Sequence, residues 1–347
     1  MATVPACKQS TNRLFNKEKN LTTIVVSDLG AYNTKAIVSV DGRVVKQLVF
    51  PSAVQLECAG ALSTFRTGHE GGHELRPTIR GTTFRVSVRP NQLVPDFSRA
   101  TPNDDYQTSA AHDALLAAVL HITGLSHIDV LVLGTPVLTY RKHAEHLKKW
   151  SGTFDFGLGR KIDIRRTLVV PQPFGSLVAA TREQILERAE HVNHCVLDFG
   201  HFSSDVLKTK GFVIDEARSC GTGFGTAAVY RQIADFLSMD LGMPVIDLDR
   251  IEYSLRTGTK YTAHSRSFDL NKDYLPRVEP LIEASVTDLY GRLQTTEDIE
   301  SILLTGGGST VFARAVHKVF RTTPIKLMPD PINANARGYL YAGQSAL

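Results

Sequence analysis

The sequence predicts an α/β fold of two related lobes with a cleft between them, and three observations lead there. At 347 residues the chain is longer than one core usually organises. Strand and helix patterns alternate along it. An apolar strand that ends in Asp-x-Gly also occurs twice, about 170 residues apart, which is the mark of an internal duplication.

Each element can be justified in order. Residues 1 to 22 are polar, carry no apolar stretch of the signal-peptide kind, and read as a mobile lead-in. LTTIVVSDLG is a β-rich run that closes on Asp and Gly. KAIVSVD and RVVKQLVF flank Asp41 and Gly42, a hairpin signal, so the chain opens as a three-stranded meander. From 51 to about 101 the pattern breaks into short Gly-, His-, Thr- and Arg-rich pieces, read as a small inserted subdomain with little regular helix. Helical periodicity then places Ala111, Leu115, Ala118, Val119 and Ile122 on one face, with Gly124 as the stop. The strand HIDVLVLGTP, a helix from Tyr140 to Trp150 and a hairpin-like stretch lead to TLVVPQPFGSLVAATREQ, a strand, turn and amphipathic helix. VNHCVLDFGHFSSDVLKTKGFVI restarts the scheme. Helices follow at Gly225 to Met239, Leu248 to Leu255 and Tyr274 to Gln294, then the strand SILLT with its glycine run, a helix from about Val311 to Phe320, a short strand and a last helix. Ser309 or Thr310 is expected to cap the helix after the glycines. Tyr339, Leu340 and Tyr341 of the last helix are expected in the core.

Composition excludes several classes. A hydrophobic fraction of 42% with 21% charged residues describes a folded soluble protein, neither disordered nor built for a bilayer. No run of about 18 apolar residues is present, so the expected location is cytoplasmic, without membrane partners. The net charge of +4 is spread along the chain and gathers in no basic stripe, so direct nucleic-acid binding is not expected. Cys7, Cys58, Cys195 and Cys220 lie far apart with no CxxC pair, which reads as structural thiols and gives no zinc site.

The chemistry gathers in the two turns. DLGAYNTK sets Asp28, Gly30, Asn33, Thr34 and Lys35 on a strand-turn-strand corner. Gly30 is expected to take a conformation barred to other residues, so that backbone amides face a phosphate, with Lys35 adding a point charge and Asp28 holding the water shell of Mg²⁺. Alone, this turn reads equally as an ordinary hairpin corner. DFGHFSSD repeats it, with Asp198, Gly200, Ser203 and Asp205 at the same offsets. Two such corners facing one cleft would supply amides to both sides of a polyphosphate and a carboxylate to each side of its metal.

D-x-G-x-x-x-T-K, then D-x-G-x-x-S-x-D, then an apolar strand followed by TGGGS, with VVPQPFGSLVAA between the turns and NANARGYLYAG at the end, resembles the motif order of the actin and Hsp70 ATPase superfamily over residues 24 to 347. Length and the Gly-Thr-Pro after VLVLG resemble the bacterial ParM and StbA plasmid-segregation group most. The resemblance implies an actin-like fold of two duplicated RNase H-like lobes around a nucleotide cleft. Domain I would be 23–187 plus 328–347, with the insert at about 51–101, and domain II 188–327. It implies ATP, or GTP, with Mg²⁺. Asp28 and Asp198 would organise the metal, mainly through water, together with the attacking water, which Gln172 would orient; these three are the expected catalytic set. Gly30, Asn33, Thr34, Lys35, Gly200, His201, Ser203, Gly221, Thr222, Gly306, Gly307 and Gly308 would bind nucleotide. Gln172 is an amide where ParM-type proteins often carry Glu, and His201 stands where many relatives have Gly, its side chain expected in solvent, with the cleft mouth as the alternative. The implied function is an ATPase that assembles head to tail into filaments and reaches plasmid DNA through a DNA-bound adaptor. A small-molecule kinase of the same superfamily would want a catalytic carboxylate near Gln172, and no Asp or Glu lies between Thr167 and Ala180. A nucleotide sensor that never polymerises is the other alternative, and the missing peptide-binding domain disfavours a chaperone.

Overall fold

A computed structural model describes residues 21–57, 73–89, 105–187 and 190–347. Most of the expected lead-in, Cys7, Cys58 and much of the expected insert lie outside the described residues.

The first sheet begins with β1 (Thr23–Leu29), β2 (Asn33–Val40) and β3 (Arg43–Pro51), joined antiparallel. The β2–β3 turn uses Asp41 and Gly42, both with positive φ, as an Asp-Gly hairpin requires. A small sheet follows, formed by β4 (Val54–Leu56), β5 (Glu74–Leu75), β6 (Thr78–Ile79) and β7 (Thr82–Ser87). Helix α1 (Ala110–Thr123) is capped by the Ser109 hydroxyl and ended by Gly124 in the left-handed region. It was expected to be amphipathic, but every residue from His112 to Leu120 is buried. The reason is tertiary: α1 packs on β1 on one side and on β4, β6 and β7 on the other, so no face is left to water. Then come β8 (His127–Thr135), α2 (Tyr140–Lys148), β9 (Gly152–Asp155), β10 (Lys161–Pro171) and α3 (Gln172–Arg182). The first sheet runs β3-β2-β1-β8-β10-β9, with β1, β8 and β10 parallel. All seven residues of β1 are buried because strands flank it and helices cover it.

The second sheet repeats the plan. β11 (Asn193–Phe199) pairs antiparallel with β12 (Ser204–Lys210), which continues to β13 (Val213–Ile214) and also takes β14 (Cys220–Thr222). Helices α4 (Thr226–Leu241) and α5 (Leu248–Thr257), the hairpin β15 (Tyr261–Ala263) and β16 (Arg266–Phe268), and α6 (Leu275–Arg292) intervene. β17 (Ser301–Thr305) then joins β11 in parallel, followed by α7 (Ser309–Val319), β18 (Ile325–Leu327) and α8 (Ala334–Ser345). The duplication extends to register: Asp28 faces Lys35 across β1 and β2, and Asp198 faces Asp205 across β11 and β12. α7 departs from expectation at its start. Gly308 occupies the cap position with no side-chain cap, and Ser309 is buried, its hydroxyl without a partner.

α8 returns to lie on β1 and β8 and crosses α3. Tyr339 is fully buried there, and Leu340 nearly so, whereas Tyr341 is only part-buried and reaches Glu183. At the crossing the helix backbones touch: a Cβ on Gly338 would stand 1.7 Å from the Gly175 carbonyl oxygen. Gly338→Ala is therefore expected to force the helices apart and cost about 3 kcal/mol in urea unfolding, the upper end for an overpacked core. Stability equal to the parent would show that the crossing yields freely.

Candidate functional site

Between the two sheets lies a cleft of about 720 Å³. Its wall contains Asp28, Gly30, Asn33 and Lys35 from the first turn, and Asp198, Gly200, His201 and Ser203 from the second. Gln172, Gly221, Thr222, Gly306, Gly307 and Gly308 complete the predicted residues that it brings together. Thr34 is the exception and needs correction: it points behind the turn, fully buried, its hydroxyl 2.9 Å from that of Ser52. Ser52 in turn donates to the Gly30 carbonyl, so Thr34 braces the turn from the rear. Alternation along β2 sends Lys35 to the opposite side from Thr34, and Lys35 reaches the cleft. Gly30 is also needed for a reason other than the expected one. Its φ lies outside the left-handed region, but a Cβ there would come 3.0 Å from the Asn33 carbonyl oxygen. Gly200 stands in the same relation to Ser203, again at 3.0 Å.

The floor is held by paired amides and carboxylates. Gln172, the first residue of α3, donates from Nε2 to Asp28 Oδ1 at 2.8 Å. Asn335, in the first turn of α8, donates from Nδ2 to Asp198 Oδ2 at 2.7 Å. Ser176 ties the two helices by donating to Asn335 Oδ1 at 2.6 Å. Lys35 Nζ lies 2.8 Å from the remaining oxygen of Asp28. Burial pulls the Lys35 ammonium down, but Asp28 at contact and Asp198 nearby carry it above its ordinary value. The second copy has no such cation. Asp205 stands where the first has Lys35, accepts from the Val137 N–H at 3.2 Å, and reaches across from one sheet to the loop after the other. Burial, then the charge of Asp198, pushes its carboxyl up to about 8. Asp198 itself is pushed up to about 6 by burial, with Asn335 opposing and Asp28 adding.

Several cleft residues escaped the sequence reading. Asn335 was visible in the NANARG motif and Asp205 in the repeat of the turn, yet neither had an assigned role. Tyr32, Tyr106, Glu252 and Arg256 also line the cleft. Glu252 and Arg256 form an i,i+4 ion pair at 2.7 Å, a spacing that in sequence reads as a solvated helix face. His201, expected in solvent, is stacked on Tyr32 with ring centroids 3.7 Å apart. Among the described residues no three acidic, histidine or cysteine side chains converge as direct ligands for a metal.

Comparison with known proteins agrees with this architecture. Residues 27–175 match the family described as actin like proteins, N terminal domain. No curated protein matches the chain. Among solved structures, it is similar to the archaeal actin homolog Ta0583 at TM-score 0.76 and 21% identity, over 94% of this chain and 100% of that one. The same protein has been solved in complex with ADP, with TM-score 0.72 over 93% of this chain and 100% of that one. The chain is also similar to apo psk41 ParM, at TM-score 0.65 and 16% identity over 94% of this chain and 98% of that one. For a 15-stranded ParM filament from Clostridium botulinum the values are TM-score 0.67 and 19% identity over 93% of this chain and 99% of that one. Identities this low speak for the fold.

The Asp205 carboxyl yields a prediction about pH. Its folded value near 8 lies far above the ordinary value near 4, so the folded state binds the extra proton. Stability from this group is complete below about pH 4 and is lost as pH rises through 8. Asp205→Asn keeps an acceptor for Val137 and removes the titration. The variant is expected to exceed the parent in urea unfolding at pH 8 by several kcal/mol, on the order of the shift, with the gap closing toward pH 4. A gap that does not change with pH would refute the assignment.

Proposed function

We propose that the chain, whose fold is actin-like, binds a nucleoside triphosphate, ATP in the first instance, with Mg²⁺ in this cleft, hydrolyses it slowly, and assembles into filaments while the triphosphate is bound. The observation that carries the reading is the pair of turns at Asp28 and Asp198, which line one cleft and whose carboxylates are held by amides of α3 and α8. Gly30 and Asn33 on one side, and Gly200 and Ser203 on the other, would bind the phosphates, with Lys35 as counter-charge. Gly306 to Gly308 would admit the nucleotide closely from the β17 side, and Gly221 and Thr222 from β14. Glu252 and Arg256 are the polar groups available to a ribose.

The donor set suits a hard cation. Asp28 and Asp198 offer carboxylate oxygens, and the raised values of Asp198 and Asp205 reflect buried negative charge short of a counter-ion. Both aspartates would hold Mg²⁺ through its water shell, and the bound ion would neutralise phosphate charge. Gln172 is oriented by Asp28. A carboxylate only accepts, so the amide NH₂ must face it, which leaves the Gln172 carbonyl oxygen to accept a hydrogen from the attacking water. An amide positions water without serving as a strong base, as suits slow hydrolysis. No carboxylate stands on α3 near Gln172 to activate a substrate hydroxyl, which argues against a kinase.

Head-to-tail contacts between copies would form the filament, and a DNA-bound adaptor would link it to a plasmid, since the chain carries no basic stripe for DNA. Right-angle light scattering of the purified protein with Mg²⁺ and ATP, GTP or ADP, followed with a phosphate assay, tests this. A concentration-dependent rise with triphosphate that decays as phosphate appears is expected. Gln172→Ala is expected to bind nucleotide and assemble but to release phosphate about 100-fold more slowly, the scale of a lost positioning group. Flat scattering at all concentrations with nucleotide bound would remove the filament from the reading and leave a nucleotide sensor.

A further inference from the structure

The two turns are joined by an aromatic contact that the proposed chemistry does not use. Tyr32 stands two residues after Gly30 and His201 directly after Gly200. Their rings stack with centroids 3.7 Å apart and planes 18° from parallel. Each half of the stack is anchored on the lobe of the second sheet. The Tyr32 hydroxyl donates to Asp249 Oδ1 at 2.5 Å, at the start of α5. His201 Nδ1 lies 3.2 Å from the Thr226 hydroxyl, and its ring meets Phe202 edge-on at 4.5 Å. A first-lobe side chain therefore arches over to the second lobe and is pinned there at two points. Tyr32, His201, Phe202 and Arg231 line both the main cleft and a smaller pocket of about 310 Å³ beside it, so the stack is the partition between the two.

We propose that Tyr32 and His201 form a clasp across the mouth of the cleft, which must part for nucleotide to enter or leave and so sets the rate of nucleotide exchange. This inference rests on the nucleotide reading given above. Each ring is fixed to one phosphate turn, so any motion that spreads the turns breaks the stack, and closing the turns on a ligand remakes it. A stacked pair with a hydrogen bond to a carboxylate is strong enough to slow opening by about ten-fold or more, and weak enough to open within a turnover.

Stopped-flow exchange of a fluorescent ADP with the full chain is the test. Tyr32→Ala and His201→Ala are each expected to speed both association and release about ten-fold, and the double variant no further, because either change alone breaks the clasp. His201→Phe, which keeps a ring to stack, is expected to restore slow exchange, and Tyr32→Phe, which loses only the Asp249 bond, to fall between. Parental rates in the alanine variants would overturn the clasp. Faster release with unchanged association would overturn it too, since that is the signature of a lost nucleotide contact. If the parent binds no nucleotide, the functional reading fails by itself, and the clasp is then decided by hydrogen exchange. Faster exchange of the amides of residues 28–33 and 198–203 in Tyr32→Ala supports it, and unchanged exchange overturns it.

Discussion

The crossing of α3 and α8 is the contact on which the rest of the molecule depends. Two helices can bring their backbones together only where neither carries a side chain, and Gly175 and Gly338 meet that condition. Ser176 and Asn335 beside them are then close enough to bond, and Ser176 also reaches Thr305 at the end of β17. The first residue of α3 and the first turn of α8 come to lie beneath the two turns. One helix thus supplies the amide that holds Asp28 and the other the amide that holds Asp198. The cleft floor is a consequence of how closely two helices pack.

The duplication repeats the register of the two turns and is broken in charge. Register pairs Asp28 with Lys35 in one lobe and Asp198 with Asp205 in the other. The first pair is self-neutralising. The second sets two carboxylates on adjacent strands, both buried, and each is driven toward its protonated form. Taken together the floor holds three carboxylates against one ammonium. Such an excess of buried acid disfavours a bare polyanion, so under the nucleotide reading a divalent cation would have to accompany it.

Much of this was legible in the chain because it is carried by local rules. The buried strands, the Asp41–Gly42 hairpin, the stop of α1 at Gly124 and the repeat of the Asp-x-Gly turns each follow from neighbouring residues. The failures share a different cause. α1 read as having one apolar face because only its own period was visible, while the small sheet of β4, β6 and β7 covers its outer side. Thr34 read as a phosphate ligand because it sits in the motif, while strand alternation turns it toward Ser52. His201 read as a solvated loop residue because its stacking partner Tyr32 lies 169 positions earlier in the chain.

The sequence by itself determined that this is a duplicated α/β protein and which two turns face one another, since periodicity, turn chemistry and motif order are properties of short segments. Only the tertiary structure decided which side of each turn looks into the cleft, that Asn335 and Asp205 belong to its floor, and that Tyr32 of one turn stacks on His201 of the other. Those facts depend on contacts between residues far apart in the chain, where distance and direction are set by packing and no local spacing records them.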